Sequence, residues 1–559
     1  MNQCSSNNTA HGSASDYSRE NRHDTIEVDG SLHAAENFAP LQSPSRYLAM
    51  SSLLDSPRTL EAPLFYGGQW ARSPSSRGGE VHNPSTGEVI ARVPFCGPEE
   101  VDQVVSAAAA AFASWHETPV IERARVMFRF HALMDRQLDD LARLITREHG
   151  KTFAEAQAEM KRGLEMVEFC CGIPSLLAGE LFPNIAADVD GETARHAVGV
   201  CVGITPYNFP SMVPLWMFPV AITCGNTFVL KPSEKVPLSS LRLGELLVDA
   251  GLPPGVFNIV HGDQECVRAL LEHPQVAAIS FVGSTRVAEA IYTTGTRNGK
   301  RVQAAGGAKN HLIIMPDADV ELAAKALSAS AFGCAGQRCM AGSVAVPVGQ
   351  IADPVVETLA RYADSLSVGP SDGEAQYDMG PLINLDAVRR VEGYLESAAS
   401  EGGRVVLDGR TKRSDTGFLI GPSVVDHVQP GARLAREEVF GPLLSVMRAN
   451  DLDEAIALGA SCPFGNGASI FTQDGRAARE FKRRFNAGMI GINVGVPAPM
   501  AWLPFTGWNQ SFFGDLHMQG QEGIHFYTRQ KMTLTRWFDS PKDSHHDPVW
   551  ATRKTPPRP

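Results

Sequence analysis

Cysteine is scarce: ten residues in a chain of 559, with Cys170 and Cys171 adjacent and no C-x-x-C pair. That excludes a disulfide framework and a thiolate zinc site; no metal is expected, and the count fits a reducing, cytoplasmic compartment. Positive charge is also in the minority, with 50 Lys and Arg against 62 Asp and Glu, a formal net charge of −12. A nucleic-acid-binding chain would show a basic face, and none is expected here. Long apolar runs are missing too. The longest, 213–230, is interrupted by Pro214, Pro219, Cys224, Gly225 and Asn226, so no membrane span is expected. The first residues, Met1-Asn-Gln-Cys-Ser-Ser, lack the apolar core of a signal peptide, and Glu20, Asp24 and Glu27 argue against an acid-poor transit peptide. No internal repeat is evident.

What the chain does hold is an ordinary globular composition, 43% hydrophobic and 20% charged, enough for two or three domains. Residues 1–60 are rich in Ser, Asn, His and Asp without periodicity and are expected to form a disordered extension; 539–559 are expected to be a flexible tail. The folded part opens near Leu64 with Phe65-Tyr-Gly-Gly-Gln-Trp70, a hairpin signature. Apolar residues at helical spacing predict helices over 101–115, 121–148 and 153–178. A protruding hairpin is expected around 188–193, turning at Asp190-Gly191. From Ala197 the rhythm changes. Short apolar strands at 198–204, 226–230, 256–260, 278–282 and 312–315 alternate with helical stretches at 216–224, 238–250, 266–272 and 287–294. This alternation predicts an α/β protein with a parallel sheet covered on both faces. A second alternating block runs from Val320 to Asn493.

One stretch carries chemistry: Phe332-Gly-Cys-Ala-Gly-Gln-Arg-Cys339, followed by Met340-Ala-Gly-Ser343. Small-residue turns deliver Cys339 to the end of a loop, with cationic Arg338 immediately before it. A thiol attacks only as thiolate, and at neutral pH a free cysteine is mostly protonated; a positive neighbour and backbone N–H donors correct that. Cys339 is therefore the first candidate for a covalent nucleophile. Cys334 lacks such a context and reads as an inert buried thiol.

Counting its own Gly336-Gln-Arg-Cys339, six fragments sit in register: Pro206-Tyr-Asn-Phe-Pro210, Lys231-Pro-Ser-Glu234, Gly251-Leu-Pro-Pro-Gly255-Val-Phe-Asn258, Phe281-Val-Gly-Ser284, Gly336-Gln-Arg-Cys339 and Glu437-Glu-Val-Phe-Gly-Pro442. Their order and spacing resemble the aldehyde dehydrogenase superfamily over roughly residues 60–538. Gly307-Ala-Lys-Asn-His311, Gly495-Val-Pro-Ala-Pro-Met500, Ser511-Phe-Phe-Gly-Asp-Leu-His517 and Phe526-Tyr-Thr-Arg529 resemble its CoA-acylating methylmalonate-semialdehyde branch. The resemblance implies a Rossmann-like NAD-binding domain over 61–308 carrying an oligomerisation hairpin at about 184–200. It implies an α/β catalytic domain over 309–508, a β oligomerisation segment over 509–538, and a homodimer or homotetramer. NAD is the implied cofactor, CoA the co-substrate and a small semialdehyde the substrate.

The resemblance also assigns roles. Cys339 would attack the aldehyde carbon, and Asn208, with the Cys339 N–H, would hold the oxyanion. Phe209 and Trp216 would wall the substrate passage. Lys231 would contact the adenosine ribose with Glu234 beside it, and Lys235 would approach the adenosine end. Thr205 and Tyr207 would make backbone contacts to the cofactor. Ser284 would open a helix whose N–H groups suit the pyrophosphate. Where relatives often carry a glycine five residues after Gly283, this chain has Ala288, still small enough for close approach. Glu438 would hold the nicotinamide ribose, Phe440 would bracket the ring, and Gly306 would give the nicotinamide room. Arg162 and Arg338 would bind a substrate carboxylate, since a guanidinium fork matches that group.

One residue is missing. Hydrolytic aldehyde dehydrogenases carry a glutamate at the position that here is Ala305, and no carboxylate lies between Glu289 and Asp317. General-base help contributes roughly 10²–10⁴-fold, so an acyl-enzyme without it waits for a better nucleophile such as the CoA thiol. The expected reaction is oxidation of methylmalonate or malonate semialdehyde to propionyl-CoA or acetyl-CoA with loss of CO2, through a Cys339 thioester. The alternative is a non-acylating dehydrogenase that yields free acid, with a relocated base such as Glu437.

Overall fold

A computed structural model describes residues 60–537. The expected N-terminal extension, up to residue 59, and the C-terminal tail lie outside the described residues. Two largely parallel sheets carry the fold. The first has eight strands, of which five run parallel in the order Arg301–Ala305, Val276–Val282, Val200–Ile204, Thr227–Lys231, Phe257–Ile259. Phe512–Phe513 closes one edge antiparallel, and the hairpin Leu64–Tyr66 with Gln69–Ala71 closes the other. Val200–Ile204 and Thr227–Lys231 are buried along their whole length, as strands covered on both faces must be.

Strand order reverses beside Val200–Ile204. The next two strands add on one side of it, and Val276–Val282 begins the other side. In open α/β sheets, ligands bind outside the carboxyl ends of the strands at such a reversal. The loop 205–211 and the turn Gly283-Ser284 leave the sheet at that place.

The second sheet has seven strands, with Asn310–Ile314 between Gly342–Pro347 and Gly467–Phe471 and only Arg404–Leu407 antiparallel to its neighbour. Gly306-Gly-Ala-Lys309 alone joins the last parallel strand of the first sheet to the central strand of the second. The carboxyl ends of one sheet therefore meet the amino ends of the other across a four-residue link. Both the nucleophile loop and the 205–211 loop converge there.

Three elements differ from the sequence expectation. The helix expected over 121–148 is two helices, Val120–Arg136 and Leu138–His149, broken at Gln137 (φ −112°, ψ 19°). Both halves bury faces in one core, so apolar spacing runs through the break. The next helix, Phe153–Cys171, stops at Gly172, and Ile173–Leu176 starts afresh with Pro174 in its first turn, where the missing N–H costs nothing. The hairpin turns at Ala187-Asp188 rather than at Asp190-Gly191: its strands are Leu181–Ala186 and Val189–Ala197, and Asp188 takes the left-handed φ of 57°. Gly191 lies inside the strand because Val189–Ala197 pairs antiparallel with Thr528–Arg536 along its whole length, placing Gly191 opposite Leu534.

Candidate active site

The helix Val320–Phe332, capped by Asp319, ends at Gly333. Cys334, Ala335 and Gly336 then take left-handed φ values of 51°, 50° and 70° in succession. For a residue with a side chain that conformation costs about 1–2 kcal/mol, so the loop has to be held. The Cys334 N–H donates to Glu155 Oε1 at 2.5 Å, and the Ile383 N–H donates to Gln337 Oε1 at 3.1 Å. Only glycine fits at 336, because a Cβ there would stand 2.1 Å from the Gly441 carbonyl oxygen. Cys339 follows. Its carbonyl accepts from Asn310 Nδ2 at 2.8 Å and Asn466 Nδ2 at 3.0 Å, one at the start of a central strand of the second sheet and one just before its neighbour.

The thiol is not poised as a thiolate. Desolvation, then the charge of Glu438, push Cys339 up to about 12; its own N–H and the Arg338 charge pull the other way and lose. Arg338 turns back onto the helix that precedes it. Its Nη2 donates to the carbonyls of Ala329 (2.6 Å) and Ser330 (2.7 Å), a favourable place for a cation at a helix C-terminus. The sequence expectation that Arg338 activates the thiol is thus met only in sign. Cys334 is pushed up to about 12 as well, first by burial, as a structural thiol would be.

Asn208 is buried (4% exposed) in the loop after Val200–Ile204. Its carbonyl accepts from the Lys151 ammonium at 2.8 Å. Lys151 is itself fully enclosed, 2.6 Å from Glu159, and lies 4.2 Å from the centre of the Phe209 ring. Glu159 accepts with its other oxygen from the N–H groups of Ser211 and Met212, which open the buried helix Met212–Thr223. A carboxylate suits that end of a helix. This chain of contacts fixes the Asn208 backbone from beneath.

On the opposite wall Glu438 approaches the Gly307-Ala308 turn and accepts from the Ala308 N–H at 3.0 Å. A Cβ at Gly307 would stand 2.5 Å from its Oε2, so a side chain there would push the carboxylate out of its present position. Desolvation pushes the Glu438 carboxyl up to about 7, against the pull of the Ala308 N–H and Lys309. Gly306 is equally hemmed in: a Cβ would meet the Gln510 carbonyl and Thr285 Oγ1 at 2.9 Å, so it is a tight joint rather than roomy space. Phe440 has φ 54° and meets Tyr207 edge-on at 5.8 Å, and the Lys235 ammonium lies 5.0 Å from the Tyr207 ring centre. Lys231, at the end of its strand, reaches Glu234 at 3.3 Å. Burial opposes ionisation of Glu234, but Lys231 and Lys235 outweigh it and hold the carboxyl below its usual range. The Thr205 N–H donates to the Lys231 carbonyl at 3.2 Å. Ser284 precedes the helix Thr285–Arg297 with no side-chain cap, and Ala288, one turn in, is fully buried.

Beside Cys339 and Phe209 lies a cavity of about 190 Å³. Cys339, Phe209, Trp216, Arg162 and Arg338 all line it, as do Glu155, Glu159, Glu165, Phe505 and Gln519. Trp216 packs against Phe505 with ring centres 4.9 Å apart. A half-buried thiol at the cavity wall, with the loop that bears the buried Asn208 contributing Phe209 to the same wall, can support covalent chemistry on a small ligand.

The aldehyde dehydrogenase family model matches residues 70–533. The chain belongs to the aldehyde dehydrogenase family. It is 50% identical over 475 residues to malonate-semialdehyde dehydrogenase 3 of Geobacillus kaustophilus (strain HTA426), covering 85% of this chain and 98% of that relative. The methylmalonate-semialdehyde dehydrogenase structure from Oceanimonas doudoroffii superposes with a TM-score of 0.84 at 46% identity, covering 86% of this chain and 99% of that one. A structure from Sinorhizobium meliloti 1021, provisionally assigned as a methylmalonate-semialdehyde dehydrogenase and complexed with NAD, gives 0.85 at 43% identity, covering 87% and 100%. The fold is that of the aldehyde dehydrogenases.

Several members of this aldehyde dehydrogenase site carry no local sequence signal. Lys151, Glu155 and Glu159 look like ordinary charges on helical stretches. Asn310 and Asn466 only become anchors once two strands lie side by side. Thr285 Oγ1 accepts from the Gly307 N–H at 2.8 Å and donates to the Gln510 carbonyl at 3.2 Å, tying the link between the sheets to the helix after Ser284. The sequence candidate Glu437 is half-exposed and engaged with Arg433 and Tyr394.

Proposed function

We propose that the protein is an NAD-dependent, CoA-acylating dehydrogenase of malonate and methylmalonate semialdehyde. The residues of the switch-point cleft suit a dinucleotide: the uncapped N–H groups after Ser284 favour the pyrophosphate, and the Lys231–Glu234 pair offers a donor and an acceptor to ribose hydroxyls. Lys231, Glu234, Lys235, Thr205 and Tyr207 would hold the adenosine half, and Glu438, Phe440 and Gly306 the nicotinamide half. When bound, NAD supplies the acceptor for the two electrons of aldehyde oxidation.

The chain's own residues do the rest. Cys339 gives its proton to solvent, and its Sγ bonds to the aldehyde carbon as the C=O π pair moves onto the oxygen. Charge growing on the carbonyl oxygen is taken by the Asn208 side-chain amide and the Cys339 N–H; such a donor is typically worth about 3–4 kcal/mol. After oxidation the acyl group is a thioester of Cys339, with a carboxylate β to its carbonyl. The C–C bond to that carboxylate breaks, CO2 departs, and the electron pair moves onto the thioester oxygen at the same Asn208. Protonation at carbon restores the acyl group. The CoA sulfur then attacks, and the Cys339 thiolate leaves.

One observation carries the acylating reading: Ala305 ends a buried strand where hydrolytic members of the family have their base. Glu155 cannot replace it, since both its oxygens accept backbone N–H groups, from Cys334 and Thr152. A second reading, a non-acylating enzyme yielding free acid, is favoured by Glu438, whose charge Cys339 feels and whose carboxyl titrates near neutrality. The deciding assay follows NADH from both semialdehydes with CoA varied and CO2 trapped. Acyl-CoA is expected, with turnover stalling without CoA. Free acid formed at the same rate in its absence overturns the acylating reading.

A further inference from the structure

The two cavity arginines are not equivalent. Arg338 has no carboxylate partner among the described residues, and its Nε is buried without a hydrogen-bond partner. Arg162 is engaged. Its Nη1 lies 2.9 Å from Glu165 Oε2, one turn along the same helix, and Glu165 lines the same cavity. The other acids on that wall are tied down: Glu159 holds Lys151 and a helix N-terminus, and Glu155 holds two backbone N–H groups. Glu165 is therefore the wall carboxylate bonded to nothing but the arginine an incoming anion would want.

We propose that Glu165 sets substrate selectivity by competing with the substrate's carboxylate for Arg162. This rests on the semialdehyde reading above. The ion pair is half-exposed, at 38% for Arg162 and 43% for Glu165, and such pairs are weak enough to open. A semialdehyde that places its aldehyde at Cys339 puts its carboxylate first at Arg338, whose charge is held only by two helix carbonyls and by no carboxylate. Recruiting Arg162 as a second clamp requires Glu165 to let go and leaves its charge close to the bound anion. A neutral aldehyde of the same length meets neither opposition nor reward. Glu165 thus holds affinity for the anionic substrate below what two arginines would give, and keeps the Arg162 fork ordered when the cavity is free.

The test is steady-state NADH formation by the full chain with malonate semialdehyde and with propanal, its uncharged counterpart. Glu165→Gln keeps the shape and removes the charge. It is expected to raise the ratio of kcat/KM for malonate semialdehyde over propanal by roughly two- to fivefold, through the KM of the anion. In the Glu165→Gln, Arg162→Gln double variant the gain is expected to vanish. Taking a ratio on one protein cancels any loss of folded enzyme. An unchanged or falling ratio, or a gain that survives Arg162→Gln, overturns the role of Glu165. A wild-type protein that leaves malonate semialdehyde untouched while oxidising propanal overturns the substrate reading itself.

Discussion

Glu438 opposes the ionisation of Cys339. The thiol is pushed up to about 12 by desolvation and then by Glu438, and the carboxyl is pushed up to about 7 by desolvation. Glu438→Gln removes a negative charge facing the thiol, so alkylation of Cys339 by iodoacetamide at about pH 8 should speed up in the protein without NAD. A rate that is unchanged, with peptide mapping to Cys339, would show that the two groups are not coupled. The same substitution has a stability signature. A carboxyl whose folded value is raised gives its stabilising contribution below the unfolded value, near 4.5, and loses it as pH rises through about 7. The melting temperature of Glu438→Gln relative to wild type is therefore expected to rise between about pH 4.5 and pH 8; a flat difference counts against it.

The Lys151–Glu159 pair couples the helix Phe153–Cys171 to the loop that bears Asn208. Both charged groups are fully enclosed, so removing one strands the other. Lys151→Met is expected to lower unfolding free energy by about 3–5 kcal/mol in urea titration, with part recovered in the Lys151→Met, Glu159→Gln double variant. Equal losses in both variants would mean that packing, not charge, is responsible. At this scale the sequence was legible where apolar period and motif coincide: the strands Val200–Ile204, Thr227–Lys231 and Val276–Val282 and the loops that follow them were expected nearly where they lie. It was silent about the break at Gln137, because a periodic apolar stripe continues across a one-residue kink. It misplaced the hairpin turn, because Asp-Gly is a local preference overridden by nine residues of pairing with the C-terminal strand.

Across the whole molecule the three-stranded sheet Leu181–Ala186, Val189–Ala197, Thr528–Arg536 bears exposed apolar side chains. Ile185 is 56% and Leu534 46% exposed, and both point to the side of Gly191, where a Cβ would touch them at 3.4–3.6 Å. A face of that kind asks for a cover. Leu534→Asp is expected to shift the protein to a smaller species in light scattering with little change in the circular dichroism of the subunit. An unchanged mass would show that this face is not the subunit contact.

By itself the sequence determined the family and the α/β rhythm, and it nominated the reacting groups. Cys339, Asn208, Lys231 and Glu438 each sit in a short contiguous motif whose chemistry reads without coordinates. Tertiary structure decided what those groups feel. Lys151 reaches Asn208 across 57 positions and Asn310 reaches Gly467 across 157, separations at which no local pattern survives. It also decided that Arg338 faces a helix end, that Arg162 is already paired, and that desolvation favours the thiol form of Cys339. The physical reason is that charge and desolvation act through space, whereas a motif records only neighbours along the chain.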